Sequence, residues 1–146
     1  MELRNNPLVK QFRRAAIAHD ESARLLLLHC SLGVSSTLCG EVIYLSGYVA
    51  ECGLKAVLLN WSPDSQHENL IASFKKPKGL GHDLEKLRGL ILRRGCPIPY
   101  EITEAMRILA AVWHTPMRYD GRRYSQADAA RLYQAGRAIL DWIIED

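Results

Sequence analysis

The run from Val42 to Leu59 is apolar at almost every position, yet it carries Glu51 and Lys55 in its interior. A helix that is apolar on all faces belongs at the centre of a fold. Two charges inside such a helix must therefore be matched by each other or by neighbours. Glu51 and Lys55 lie four residues apart with the acid first, the favourable order for a pair on one helical face. Tyr44 and Tyr48 precede them on the same stripe, so the helix carries one polar seam: Tyr44, Tyr48, Glu51, Lys55. The seam is either a hydrogen-bonded network that docks helices or the wall of a site. The two charges interrupt the run short of the ~20 apolar residues that span a bilayer, so no membrane crossing is expected.

Similar reading along the chain predicts an all-α protein. The first helix starts after Asn5-Asn6, with Pro7 at its first position. Its apolar stripe (Leu8, Phe12, Ala15, Ala16, Ala23, Leu26, Leu27) runs to about His29. Asp20 and Glu21 read as its exposed face. After a Gly/Ser/Thr loop, the second helix covers Leu38 to Leu59 and stops at Asn60-Trp61-Ser62-Pro63. Residues 60–81 form a long polar connection with room for a short helix from Glu68 to Phe74. A third helix spans His82 to Arg94, closed by Gly95, and a fourth spans Tyr100 to Trp113. A fifth runs from the cap Ser125 to Ile144. With no β-alternation of useful length and no repeat, one domain over residues 1–146 is expected, an up-and-down bundle of about five helices.

The net charge of +3 neither demands nor excludes a nucleic-acid partner. The basic residues cluster, however: Arg13 with Arg14, Lys75, Lys76 and Lys78 in one loop, and Arg118, Arg122 and Arg123 in another. These are either solvated surface or a place for phosphates. Cys30, Cys39, Cys52 and Cys96 form no C-x-x-C pair and no zinc spacing, and they read as free thiols in a reducing cytoplasm. No glycine-rich phosphate loop, Ser/His/Asp signature, paired-carboxylate motif or zinc motif is present, so no metal or cofactor is expected.

Four pieces of the chain, in order, carry a family resemblance. They are Gly47-Tyr48-Val49-Ala50-Glu51-Cys52-Gly53-Leu54-Lys55, then Gly81-His82-Asp83-Leu84-Glu85-Lys86-Leu87, then Trp113 with Arg118-Tyr119, then Ala138-Ile139-Leu140-Asp141-Trp142-Ile143. Together they resemble the HEPN domain (higher eukaryotes and prokaryotes nucleotide-binding). The resemblance implies a short helical domain, a homodimer, and a place in a prokaryotic toxin–antitoxin or defence system. Some members of the family cut RNA without a metal; others only bind nucleotides, nucleic acid or partner proteins. In some family operons a nucleotidyltransferase antitoxin modifies a tyrosine near the site, for which Tyr119 and Tyr124 are the candidates here.

The cutting members carry Arg, four to six residues, then His. Histidine moves protons near neutral pH, and arginine stabilises charge building on a phosphoryl group. Formal matches in this chain are Arg13 or Arg14 with His19, Arg24 with His29, and Arg107 with His114. Chance alone supplies about one such match in a chain with this many arginines. Position favours Arg107 and His114 as the catalytic pair of a metal-independent endoribonuclease. The residues around them, Ile108 and Thr115-Pro116, depart from the pattern of active members.

Glu51, Lys55, His82, Arg118 and Tyr119 are the candidates for binding RNA or a nucleotide. Arg118, Lys55 and His82 would meet a phosphate while Tyr119 stacks on a base. The competing reading is a buried polar network in which Glu51 pairs with Lys55 or Arg118 and Asp83 caps a helix. Three functions follow: a nucleic-acid or nucleotide-associated module, the endoribonuclease, and a partner-binding dimer without catalysis.

Overall fold

The computed structural model describes residues 1–33, 37–76, 79–119 and 121–144, and the side chain of Arg118 lies outside it. Lys78 of the first basic loop also lies outside the described residues. Among the described residues all regular structure is helical: α1 (Pro7–Ser31), α2 (Leu38–Asn60), α3 (His67–Lys75), α4 (Leu84–Arg93), α5 (Tyr100–Val112) and α6 (Gln126–Ile144). Short 3₁₀ turns at Asp64–Gln66 and Thr115–Tyr119 precede α3 and follow α5.

The helix ends follow local chemistry. Asn6 Oδ1 accepts from the amides of Leu8 (2.9 Å) and Val9 (3.4 Å), and Pro7 takes the first helical position. Asp83 Oδ1 accepts from the Lys86 amide at 3.0 Å and opens α4. Ser125 Oγ accepts from the Asp128 amide (3.0 Å) while Asp128 Oδ2 accepts from the Ser125 amide (3.4 Å), a reciprocal cap in front of α6. Gly95 takes φ +83°, a left-handed conformation that stops α4 without a side-chain penalty.

α1, α2, α5 and α6 alternate in direction. The start of the chain meets the far end of α2, where the Arg4 guanidinium donates to the carbonyls of Leu59 (2.9 Å) and Ser62 (2.8 Å). The end of α1 meets the start of α2 through a disulfide, Cys30–Cys39. Gln126 Nε2, at the start of α6, donates to the Cys30 carbonyl at 2.7 Å. The result is an up-and-down bundle with α2 at its centre, packed against α1, α6 and α4. Val42, Ile43, Leu54, Val57, Leu58 and Leu59 are fully buried. α2 is long and apolar enough to cross a membrane, and 83% of its most apolar window is buried inside the bundle.

The short helix expected from Glu68 to Phe74 is present as α3, so the described residues form six helices rather than about five; α3 buries Leu70 and Phe74 and sets Phe74 edge-on against Phe12 of α1 at 5.6 Å. Two expectations are corrected. Asp20 is buried rather than exposed; α6 passes over it, and Arg137 Nη1 donates to Asp20 Oδ2 at 2.9 Å. Cys30 and Cys39 are joined, so only Cys52 and Cys96 are free, both buried. The reducing-cytoplasm expectation thereby loses the support it drew from free thiols.

Candidate functional site

The polar seam of α2 opens where α1, α3, α4 and the end of α5 converge. Glu51 is 3% exposed and both its carboxylate oxygens are engaged. Oε1 takes a short ion pair from the Lys55 ammonium one turn on. Oε2 lies 2.8 Å from Nδ1 of His82, the residue before the cap of α4. A carboxylate only accepts, so His82 carries its proton on Nδ1 toward Glu51. Lys55 is buried behind this pair, its ammonium 4.9 Å from the centre of the Phe74 ring and 5.9 Å from that of Phe12.

Above the ion pair the rings close ranks. Tyr48 meets Tyr44 (4.9 Å between ring centres), His19 (5.5 Å), Trp113 (5.5 Å) and His82 (6.1 Å), and His82 meets Trp113 at 6.4 Å. Most are edge-to-face, the arrangement aromatic quadrupoles favour. The Tyr44 and Tyr48 hydroxyls share a hydrogen bond at 3.0 Å. Trp113 Nε1 donates to the Tyr44 carbonyl at 3.0 Å, which lays the indole across Gly47. A Cβ there would lie 2.1 Å from the ring, so only glycine admits Trp113 to the site.

His82 is the exposed edge of the assembly, with 51% of its side chain accessible. Together with Asp83, Glu85 and Trp113 it lines a cavity of about 260 Å³. Burial pushes the His19 imidazole below its ordinary value, opposed by the charge of Glu51. The Cys52 thiol is pushed up to about 11, first by burial and then by Glu51, with Lys55 opposing. A hollow of about 390 Å³ elsewhere is lined by Trp61, Cys96, Ile98, Pro99 and Trp142. Its one thiol, Cys96, is pushed up to about 11 by burial and is a poor nucleophile at neutral pH.

The structure thus brings Glu51, Lys55 and His82 together. Glu51 is paired with Lys55 and His82; the alternative partner, Arg118, has its side chain outside the described region. Arg107 is exposed on α5 and ion-paired with Glu104 at 3.0 Å, which raises its pKa through that hydrogen bond. His114 is exposed just past the end of α5, where its carbonyl accepts from the Met117 amide at 3.1 Å. Tyr119 is 81% exposed, and Tyr124 is buried beneath the Arg122 guanidinium, 5.2 Å from its ring. Sequence reasoning did not place His19 and Trp113 in the site. The glycine at 47, in the middle of a helix where it is unfavourable, was the signal that something large packs there.

No protein-family model matches the chain, and no curated protein or solved structure matches it significantly.

Proposed function

We propose that the protein is a HEPN-like module that holds single-stranded RNA or a nucleotide and works as a homodimer. The family and its setting in prokaryotic toxin–antitoxin or defence systems rest on the sequence resemblance. The observation that carries the binding role is the half-open run of rings, His19, Tyr48 and His82, backed by a buried ion pair that fixes its position. Rings at a surface stack on bases whatever their sequence. Lys75, Lys76, Arg122 and Arg123 are exposed, and in this reading they meet the phosphates. Lys55 supports the site from behind by holding Glu51.

Single-stranded RNA should bind at low salt and weaken steeply as salt rises, because each neutralised phosphate releases counterions. Tyr48→Ala and Arg123→Ala should both weaken binding, the second with a shallower salt slope. An absence of binding at low salt would remove the nucleic-acid reading and leave the partner-binding dimer. RNA cutting in EDTA that disappears in His114→Ala would select the endoribonuclease built on Arg107 and His114.

A further inference from the structure

We propose that His82 is a phosphoryl-accepting histidine, with Nε2 the nucleophile and Glu51 the residue that positions it. The inference is independent of the RNA reading. Among the described residues His82 is the one histidine bonded to a buried carboxylate. In the neutral ring, with Nδ1–H pointing at Glu51, the lone pair is on Nε2. Glu51 cannot swing away, since its other oxygen is held by Lys55 and the carboxylate sits inside α2. Nothing among the described residues bonds Nε2, and the ring edge faces the 260 Å³ cavity.

The cavity suits the group that would be transferred. Its floor is the start of α4, where Asp83 takes the amides of Lys86 and Leu87 and leaves those of Leu84 and Glu85 outside the cap. Uncapped amides at a helix start favour an anion. The two carboxylates on the rim are each matched three residues on: Asp83 by Lys86 (3.8 Å) and Glu85 by Arg88 (3.2 Å). The rim is therefore not a block of unopposed negative charge.

The donor is a phosphoramidate or an acyl phosphate. The Nε2 lone pair attacks phosphorus and the N–P bond forms. The bond from phosphorus to the leaving nitrogen or oxygen breaks, and ammonia or carboxylate departs with the bonding pair. The proton on Nδ1 stays where it is. The ring becomes a phosphoimidazolium whose positive charge faces the Glu51 carboxylate, and no further proton or co-reactant is needed.

The test is to incubate the native chain with phosphoramidate at neutral pH, follow each histidine by peptide mass spectrometry, and assign the isomer by phosphorus NMR. His82 should gain one acid-labile phosphoryl group on Nε2, about tenfold or more faster than the exposed His29, in line with the gain a positioned carboxylate gives an imidazole. Unfolding in urea should bring the two rates together. Glu51→Gln should slow His82 toward the rate of His29, with circular dichroism confirming the fold. If that variant does not fold, the comparison of native and urea-unfolded parent protein decides without it. A native His82 labelled no faster than His29, or labelled on Nδ1, would overturn the proposal.

Discussion

A carboxylate and an ammonium in the middle of an apolar helix survive only if each is the other's partner and the remaining valences are filled. Glu51 meets that condition on both oxygens, and Lys55 rests its ammonium on aromatic faces. Glu51→Gln removes the charge and leaves the Lys55 cation buried and unmatched. That change should cost about 3 kcal/mol, the scale for breaking a buried ion pair from one side. Thermal unfolding should show the loss as a lowered Tm. Glu104→Gln, which breaks an ion pair in solvent, should leave Tm unmoved. An equal response from the two variants would mean that Glu51 is solvated. His19 sets a pH dependence of the opposite kind to an ion-paired histidine. Its folded-state pKa lies below the ordinary 6.5, chiefly through burial. Below 6.5 the unfolded chain takes up the proton more readily than the folded one, so stability is lost as pH falls below that value and is unaffected above it. His19→Gln should flatten the fall in Tm between neutral pH and about one unit below 6.5; an unchanged slope would assign the effect to other groups.

At the scale of elements, α2 can be central because small residues let its neighbours approach. Gly47 receives the Trp113 indole, and Gly136 of α6 lets that helix meet the Ser46 backbone, where a Cβ would come within 2.9 Å of the carbonyl oxygen. Gly47→Ala opposes two effects. Alanine gains about 1 kcal/mol of helix propensity. The overlap with Trp113 costs about 3 kcal/mol in a packed interior. Overpacking wins, so a net destabilisation of about 2 kcal/mol is expected by denaturant unfolding, along with a shift in tryptophan fluorescence as the indole leaves its place. A stabilised Gly47→Ala would show that Trp113 can move aside at little cost. If the rings hold RNA as proposed, the same substitution should impair that binding, because Trp113 supports the Tyr48 and His82 rings.

At the scale of the whole molecule, the bundle is closed at one end by Cys30–Cys39 and Gln126, and at the other by Arg4 and His67 gripping the last carbonyls of α2. Among the described residues, one exposed apolar stripe follows the last turns of α1 and its C-cap. Leu25, Leu28 and Leu32 are 53%, 55% and 69% exposed there, at the three- and four-residue steps of a helix–helix seam. The homodimer proposed above would cover this stripe in a symmetric contact. Light scattering should therefore show the mass of two chains, and Leu28→Glu should reduce it to one while leaving helical content unchanged. A parent protein that remains a monomer at tens of micromolar, roughly where weak dimers assemble, would count against the dimer.

The helices and their order were written in the sequence, because local signals determine them: Asn6-Pro7, Asp83, Ser125 and Gly95 mark ends by their own hydrogen bonds or φ, and the apolar run 42–59 announces a buried helix. The Glu51–Lys55 pair was equally legible, since four residues along one helix fix the distance between them. Only the tertiary structure decided what spans the helices. His82 becomes the second partner of Glu51 through a separation of 31 residues, Trp113 reaches Gly47 from the end of α5, and Asp20 is buried only because α6 brings Arg137 to it. Cys30 and Cys39 meet because α1 and α2 fold back on each other. Local chemistry sets where each helix starts and stops, whereas the site is a convergence of α1, α2, α3, α4 and the end of α5. Packing decides that convergence, because burying each apolar face fixes which polar residues are carried in with it.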